Sequence, residues 1–331
     1  MMAYSNVIIS QDISEKDMRD AFFDYLYDLA AKDKSLIFLT ADMGALSLER
    51  FRNNLGSQYI NVGVAEQNLV SVASGLALGG KKVFIYAIAP FITQRCYEQI
   101  KIDICGMRLP VTIIGSGPGI SYSSDGPTHH ATDDIAIMRN MPYINILNPS
   151  DSMSSEAAAG FAYESSDPIY IRLDKGRFPA LYKRDITFQD GLAVLKRGQD
   201  LTIISTGIMV HKAFEIAEEL AMYSIDTAIV DAYRIKPLND EMMTDIISRT
   251  KRIITLEEHS ITGGLGSAVC ELMADKGISK PVKRFGIRNV QSAGYGDRDW
   301  MHEYYGLDVR SVCREVINWL RDCVCTKIKK Y

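Results

Sequence analysis

Several features that would direct a protein to a membrane or out of the cell are missing from this sequence. No apolar run reaches the length of a membrane-spanning helix; the stretch 76–90, for example, is broken by a Gly-Gly-Lys-Lys segment. The first 17 residues are polar and lack the apolar core of a signal peptide. The 6 cysteines form no Cys-x-x-Cys pair, which argues against a disulfide framework or a zinc site. We therefore expect a cytoplasmic protein with reduced thiols.

An excess of positive charge is also missing. Lys and Arg number 37 against 41 Asp and Glu, a formal net charge of −4, so the chain lacks the basic surface typical of nucleic-acid or membrane binding. Hydrophobic residues make up 47% and charged residues 24%, which is typical of a globular protein with a packed core. The length of 331 residues favours two domains over one.

Short apolar runs alternate with amphipathic segments, which predicts an α/β fold with two parallel or mixed-sheet domains. The first alternation has strands at 36–40, 59–62, 82–87, 109–114, 143–147 and 169–173, and helices at 14–31, 66–80, 91–107, 132–140 and 150–164, the first capped by Ser14. The second has strands at 201–205, 227–230, 252–256 and 282–286, and helices at 210–223, 240–249, 265–274 and 309–325. We assign residues 12–176 to one domain, 177–190 to a linker and 191–326 to a second domain.

The most informative stretch runs from Asn61 to Gly80. A short strand ends there, Gly63 allows the backbone to turn, and a helix rich in small and apolar residues begins at Glu66. Because this helix has almost no polar face, we expect it to be buried. A carboxylate in its first turn is favoured by the helix N-terminus and penalised by burial. Glu66 could simply satisfy free amides at the helix start, or it could have a function, since Glu is rarely buried without a partner.

A long loop, residues 115–130, is rich in Gly, Ser and Asp, and loops of this length usually carry function. Its three spaced glycines do not continue into a dinucleotide fingerprint, because Ile120 and Ser121 follow them. Asp125 and His129 could hydrogen-bond a polar substrate. A solvated pair of histidines is the structural alternative. A metal site formed by His129, His130 and two following aspartates, 133 and 134, ranks third, because adjacent histidines rarely bind one ion.

Other candidates have a structural explanation beside the functional one. Arg172 ends a short apolar strand, where it could form a surface ion pair or grip a phosphate or carboxylate. Phe91 follows a strand-to-helix turn and could pack in the core or stack on a ligand ring. Asp42 lies at the carboxyl end of a strand, where ligands of α/β sheets bind. The glycine-rich segment after Glu257 could bind an anion at a helix start or allow close packing of a helix on a strand.

Four motifs occur in a characteristic order and spacing: Ala41-Asp42-Met43, Gly63-Val64-Ala65-Glu66-Gln67, Asp125-Gly126-Pro127-Thr128-His129, and Glu257-Glu258-His259 with Gly263-Gly264-Leu265-Gly266-Ser267-Ala268. Together they resemble the C-terminal half of transketolase over residues 14–313. The resemblance implies a pyrimidine-binding domain followed by the transketolase C-terminal domain. 1-Deoxyxylulose-5-phosphate synthase and the β subunits of 2-oxoacid dehydrogenases share both domains, and the Asp-Gly-Pro-Thr-His loop is more similar to the first two families.

The resemblance implies thiamine diphosphate as the cofactor. Glu66 would hydrogen-bond the N1′ ring nitrogen of the cofactor and exchange a proton with it. Phe91 would stack on the aminopyrimidine ring, Tyr97 would line the same pocket, and Asp42 would lie near the cofactor. The cofactor would carry the bond-breaking chemistry, with the protein providing orientation and proton transfer.

The resemblance also assigns residues to the substrate. Asp125 and His129 would contact sugar hydroxyls near the reacting carbons, and both are candidate catalytic residues, while Arg172 would hold the sugar phosphate. Two positions depart from the transketolase pattern: Gly117 replaces a phosphate-binding His, and Gln94 replaces an aromatic residue. These departures concern the usual pentose-phosphate substrates and leave the cofactor unaffected.

Transketolase binds the diphosphate and Mg²⁺ through a Gly-Asp-Gly motif that this sequence lacks. We therefore expect a split transketolase subunit, active only with a partner chain that holds most of the diphosphate and Mg²⁺ site, in an α2β2 heterotetramer with a self-dimer of this chain. The first hypothesis is a ketol transferase acting on phosphorylated or activated sugars. A 1-deoxyxylulose-5-phosphate synthase-like subunit and a 2-oxoacid dehydrogenase E1 β-like subunit are the alternatives. A non-catalytic scaffold is disfavoured by the joint presence of the site residues.

Overall fold

The computed structural model describes residues 16–183, 189–290 and 295–328, with side chains described as far as Arg321. Its strands are β1 Leu36–Thr40, β2 Tyr59–Asn61, β3 Lys82–Ile88, β4 Val111–Ser116, β5 Asn145–Leu147, β6 Ile169–Leu173, β7 Ala193–Lys196, β8 Leu201–Ser205, β9 Thr227–Asp231, β10 Arg234–Lys236, β11 Ile253–Ser260 and β12 Val282–Ile287. Its helices are α1 Met18–Lys32, α2 Leu48–Asn54, α3 Glu66–Leu78, α4 Ala89–Thr93, α5 Tyr97–Gln99, α6 Asp134–Arg139, α7 Ser152–Glu164, α8 Met209–Ala221, α9 Asp240–Ser248, α10 Leu265–Asp275, α11 Arg298–Tyr305 and α12 Val309–Ile328.

The strands form two sheets, which confirms the predicted α/β class. The first has the order β10-β5-β6-β4-β3-β1-β2, and the second the order β12-β11-β8-β9-β7. Most neighbours are parallel, but β10 runs antiparallel to β5 and β7 antiparallel to β9, so both sheets are mixed. The edge strand β10 comes from the second half of the chain and completes the sheet of the first half. A three-residue strand of sequence Arg-Ile-Lys is too short for a sequence pattern to predict.

Apolar side chains cover both faces of the central strands of the first sheet. Phe38 and Phe84 point to the side of α1, whereas Leu39 and Ile85 point to the side of α3. All five residues of β1 are buried, as are all five of β6. Strands covered by helices on both faces read as continuous apolar runs, and this is why β1, β6 and β8 match their predicted bounds.

Several predicted helix bounds are wrong. The predicted helix 91–107 is broken into α4, α5 and a π-helical segment, Ile100–Cys105, because Cys96 leaves the helical conformation with φ −108° and ψ 16°. Helix α1 begins with Asp17 as its N-cap, whose side chain accepts from the amide of Arg19; Ser14 lies outside the described residues. The sequence analysis also missed α2, α11, β7 and β10.

Helix α3 is buried on one face only, which corrects the expectation that it is buried all round. Leu69, Val70 and Ala73 are fully buried against the sheet. On the outside, Leu78 is 64% exposed, and Val64 just before the helix is 76% exposed. After Gln67 and Asn68 in the first turn, the exposed positions are Ser71, Gly75 and Leu78, which are small or apolar, and this is why the pattern alone predicted a core helix. No helix in the described part of the chain is long and apolar enough to cross a membrane.

Candidate active site

The ends of β1 and β2 form the floor of the candidate site. Asp42 follows β1 with a positive φ of 56°, and Asn61 holds this turn by donating from Nδ2 to Asp42 Oδ1 at 3.0 Å and accepting from the Asp42 amide at 3.1 Å. The same Asn61 oxygen accepts from the amide of Gly63, whose φ is 77°. Asp and Gly tolerate a positive φ better than most residues, and the two turns at Asp42 and Gly63 set the direction in which α3 begins. Asp42 is thereby placed, exposed, beside the start of α3.

Glu66 is the first residue of α3, and its side chain is only 5% exposed. The helix has no side-chain cap at Ala65, so the Glu66 carboxylate lies where the helix dipole favours negative charge. Its partner is Arg95, whose Nη1 donates to Glu66 Oε2 at 2.8 Å. The simple capping explanation is therefore insufficient, since the carboxylate is directed at a cation from another helix turn.

Phe91 on α4 lies beside this pair. The guanidinium of Arg95 is 4.4 Å from the centre of the Phe91 ring, so it lies against the ring while it donates to Glu66. Gln67 fixes the Arg95 backbone by donating from Nε2 to its carbonyl at 3.1 Å. The Arg95 side chain is 47% exposed, so this arrangement is an open surface rather than an enclosed cavity.

The long loop also brings its histidine into contact with Phe91. The His129 ring lies 5.0 Å from the Phe91 ring in an edge-on contact, and Tyr122 lies 6.1 Å from His129. Thr128 Oγ1 and His129 Nδ1 are 3.0 Å apart, which orients the imidazole. Asp125, one short helical turn earlier in the loop, is exposed. The loop thus presents an imidazole in contact with Phe91 and, four positions earlier, an exposed carboxylate.

Tyr97 and Gln94 contact residues outside the cluster of Glu66, Arg95, Phe91 and His129. The Tyr97 hydroxyl accepts from Asn140 Nδ2 at 3.4 Å, and Lys101 lies 6.0 Å from its ring. Gln94 Nε2 donates to Asp133 Oδ1 at 2.6 Å. Burial raises the pKa of Asp133, the Gln94 hydrogen bond opposing this only in part. The hydrogen bond and ring contact of Tyr97 thus join it to Asn140 and Lys101 and do not link it to Glu66 or Phe91. Its role in the cofactor pocket stays a prediction.

The structure disagrees with a phosphate-binding role for Arg172. Its side chain is 3% exposed, and Nε donates to Asp134 Oδ2 at 2.7 Å while Nη2 donates to the carbonyls of Ala131 and Glu258 at 3.4 and 3.3 Å. Although burial acts against the charged form, Asp134 keeps the pKa of Arg172 above its ordinary value. Both explanations in the sequence analysis, a surface ion pair and a substrate anchor, required an exposed guanidinium.

The residues of the metal alternative are directed to different places. Asp134 is fully buried and accepts from Tyr170 and Arg172, and His130 is buried with its pKa lowered chiefly by burial. His129 instead faces Phe91. In the ranges that the structure describes, no group of three or more His, Cys, Asp and Glu side chains could hold a metal ion.

The glycine-rich start of α10 holds a carboxylate of the chain itself. Glu257 accepts from the amides of Leu265 and Gly266 at 2.7 and 2.8 Å, so these donors are not available to an external anion. A Cβ at Gly264 would lie 2.0 Å from Glu257 Oε2. Burial raises the pKa of Glu257 to about 7. Close packing, rather than anion binding, therefore explains these glycines.

Sequence reasoning missed Arg95, Asn61 and Lys175. Arg95 follows Phe91 by four positions, a spacing that places two side chains on one helix face, and this was the signal available in the sequence. Lys175 Nζ lies 4.2 Å from the Tyr122 ring, next to the loop that carries His129. Taken together, the site offers a buried carboxylate, an aromatic ring, an imidazole and a nearby cation. Such a set can bind a flat nitrogen-containing ring and a polar, anionic substrate.

The sequence matches two families, "Transketolase, pyrimidine binding domain" over residues 14–180 and "Transketolase, C-terminal domain" over residues 191–312. It is 34% identical to an apulose-4-phosphate transketolase subunit of Phocaeicola vulgatus, a match that covers 92% of this chain and 97% of that protein. It is also 34% identical to a 6-deoxy-6-sulfo-D-fructose transketolase subunit of a Clostridium species, over 91% and 94% of the two chains.

A second group of relatives is longer. The chain is 33% identical to the 1-deoxy-D-xylulose-5-phosphate synthase of Clostridium tetani, a match that covers 90% of this chain but 48% of that protein. Among solved structures, one described as "Split gene transketolase, inactive beta4 tetramer" superposes with a TM-score of 0.82 at 33% identity, covering 91% of this chain and 97% of that chain. The chain therefore matches the transketolase subunits over nearly their whole length, but only about half of the synthase.

Proposed function

Because this chain belongs to the transketolase family, and matches the split subunits of that family along almost its whole length, we propose that it is the pyrimidine-binding subunit of a two-chain transketolase that uses thiamine diphosphate. The proposed reaction is transfer of a two-carbon ketol unit between phosphorylated or activated sugars. The observation that carries the proposal is the Glu66–Arg95–Phe91 contact, in which a planar nitrogen donor lies against an aromatic ring and donates to a buried carboxylate.

These residues fit the family's cofactor. The Arg95 guanidinium contacts the Phe91 ring and Glu66 at once, and an aminopyrimidine ring would have to make the same two contacts. Thiamine diphosphate, when bound, supplies a carbon nucleophile and an electron sink for cleavage of the bond next to a ketone. Glu66 would hold or release a proton towards the N1′ nitrogen, Phe91 would support the ring, and Asp42 would lie beside it. Tyr97 would contribute to the outer wall of the same pocket.

His129 and Asp125 would act on the sugar. His129 packs edge-on against Phe91, and its imidazole would hydrogen-bond a hydroxyl of a substrate that reaches the cofactor. Asp125, exposed on the same loop, would accept from a second hydroxyl. We assign them to substrate orientation and to proton transfer at the sugar oxygens.

An anionic end of the sugar needs a cation other than Arg172, which is buried and paired. We assign that part to Lys175. Its Nζ lies over the ring of Tyr122, and the Tyr122 ring also contacts His129. The ammonium group therefore lies next to the loop that carries Asp125 and His129. A Lys can meet a phosphate as a point charge, without the bidentate geometry of Arg.

The partner chain would complete the site. The described residues contain no cluster of side chains that could hold Mg²⁺, and the Glu66 surface is open, with the apolar side chain of Val64, two positions before Glu66, 76% exposed. An exposed apolar surface beside a cofactor residue is typical of an interface. We therefore place the diphosphate and Mg²⁺ on a chain carrying the N-terminal section, in an α2β2 assembly with this chain dimerised. The description of the related β tetramer as inactive is consistent with this requirement.

The experiment is reconstitution. The chain alone should bind thiamine diphosphate with Mg²⁺ weakly in calorimetry and should show no turnover, whereas addition of the partner should restore both. Tight binding by the isolated chain would overturn the division of the site between two chains.

A synthase of the deoxyxylulose-phosphate type is the second candidate, because one group of relatives carries that activity. Pyruvate consumption by the complex, with no activity on ketose phosphates, would establish this second function instead.

A further inference from the structure

Four charged or titratable side chains meet at the junction of the loop 117–130 with the second domain. Arg298 donates to Glu258 through Nε at 3.0 Å and Nη2 at 2.7 Å, and to Asp174 at 3.1 and 2.6 Å. His302 Nε2 lies 2.5 Å from Glu258 Oε2. None of these four residues belongs to the cofactor or substrate site proposed above, and we name the group the Glu258 network.

The network is buried and strongly charged. The side chains of Glu258, Asp174 and His302 are 3% to 5% exposed, and that of Arg298 is 20% exposed. Burial alone would raise the pKa of Glu258, but Arg298 and His302 together hold it far below its ordinary value. The carboxylate is therefore charged under all ordinary conditions, and its geometry is set by two partners on α11.

Glu258 also holds the loop directly. Its Oε1 accepts from the amide of Ile120 at 2.8 Å. The preceding residue, Gly119, has a φ of 59°, and a Cβ there would lie 2.3 Å from Glu258 Oε1 and 2.7 Å from the Glu258 carbonyl oxygen. Only glycine permits this approach without a shift. Ser121 Oγ donates to Asp174 Oδ1 at 3.1 Å, so two successive loop residues are bound to the network.

These contacts lie at the base of the loop that carries the substrate-facing residues. Gly119 and Ala131 exchange backbone hydrogen bonds of 3.1 and 2.7 Å, which close the loop between them. Tyr122 follows two positions after Ile120, and its ring contacts His129, which contacts Phe91. A displacement of Ile120 is thus transmitted to His129 through a short covalent and packing path.

We propose that Glu258 is a positioning residue for the loop 117–130, through which the second domain sets the place of Asp125 and His129 relative to the cofactor site. We call its hold on the loop at Gly119 and Ile120 the Glu258 clamp. The inference rests on the proposed function for its catalytic consequence, while the Glu258 clamp is a property of this chain alone. It gives the C-terminal domain an indirect part in substrate binding.

The Glu258 clamp is tested on the isolated chain by hydrogen–deuterium exchange followed by mass spectrometry. Glu258→Gln removes the charge that Arg298 and His302 require, and Gly119→Ala pushes the loop away from Glu258 while leaving the ion pairs in place. Both should increase amide exchange in peptides covering residues 119–130 by about tenfold or more, since a charge-assisted hydrogen bond contributes on that scale. Glu315→Gln, which breaks an exposed ion pair with Arg288 in the same domain, should leave these peptides unchanged. Parent-like exchange in Gly119→Ala would overturn the clamp, and this variant decides alone if Glu258→Gln does not fold.

The consequence is tested in the reconstituted complex. Both variants should raise the KM for the sugar and lower kcat, because Asp125 and His129 are displaced. Hydrogen–deuterium exchange at the cofactor's C2 position should stay at the parent rate, because that step depends on Glu66. An equal loss in both measurements would indicate general damage and would refute a positioning role. If the parent complex shows no transketolase activity, the proposed function fails, and the exchange result on the isolated chain still decides the clamp.

Discussion

Arg172→Ala should destabilise the first domain, because Arg172 is an internal structural cation. The substitution removes the guanidinium that donates to Asp134 at 2.7 Å and to two backbone carbonyls. Asp134 is fully buried and would keep the hydroxyl of Tyr170, at 2.6 Å, as a side-chain donor, while its Oδ1 already lacks a hydrogen-bond partner. A buried carboxylate would therefore lose its counter-charge.

The magnitude follows from the burial of both partners. Removing one member of a buried ion pair costs about 3–5 kcal/mol, most of which is the penalty for the charge left behind. For a domain of this size, about 1 kcal/mol corresponds to about 2–4 °C in melting temperature, so we expect a decrease of about 10 °C. Arg288→Ala is the matched control. Arg288 forms an ion pair with Glu315 at 3.1 Å but is 66% exposed, so its loss should cost less than about 1 kcal/mol.

Denaturant unfolding of the isolated chain measures the effect without any partner. A double variant, Arg172→Leu with Asp134→Leu, separates the unpaired charge from lost packing, and it should be more stable than Arg172→Ala because no carboxylate remains buried. If Arg172→Ala unfolds at the same denaturant concentration as the parent and raises only the KM for a phosphorylated sugar, the structural assignment is refuted and Arg172 returns to the substrate.

Three other outcomes are expected. Glu66→Gln should leave stability within about 1 kcal/mol of the parent, because Gln can still accept from Arg95, but it should slow C2 exchange of the bound cofactor by about 10² to 10⁴; parent-like exchange would remove Glu66 from the mechanism. Lys175→Ala should raise KM at least tenfold for a phosphorylated donor and little for an uncharged one, and an equal change for both would exclude a phosphate contact. Asp231 has its pKa raised by burial from 3.8 to about 7, so the folded state binds more protons than the unfolded state and stability falls as pH rises from about 4 to 7. Asp231→Asn should make the melting temperature fall less over this range in calorimetry, and parallel curves would contradict the assignment.

Local sequence patterns were sufficient to predict the α/β class and the order of most of the longer elements, although α2, α11, β7 and β10 were missed. Strands β1, β6 and β8 are apolar along their whole length because helices cover both faces of the sheets, and a continuous apolar run needs no tertiary knowledge to be recognised. The placement of Glu66 at a helix start was predicted for the same reason, since Gly63 and the small residues after it form a local signal. The resemblance to transketolase then implied that Glu66, Phe91 and His129 belong to one site; in the structure Arg95 links Glu66 to Phe91, and Phe91 contacts His129, while their roles stay predictions.

Only the folded structure shows which charged side chains are accessible to a ligand. Every residue of β6 is buried, so the strand has no alternating pattern that would indicate the direction of the Arg172 side chain. Its partner Asp134 lies 38 positions away in the sequence. Glu257 likewise occupies the N-terminus of α10, where the glycine-rich segment would otherwise leave room for an external anion. Glu258 accepts from the amide of Ile120, which is 138 positions away in the sequence. The solvation and pairing of a charge depend on groups that are distant in sequence, whereas a strand or a turn depends on its neighbours. For that reason the fold could be predicted from local patterns, and the separation of structural from functional charges could not.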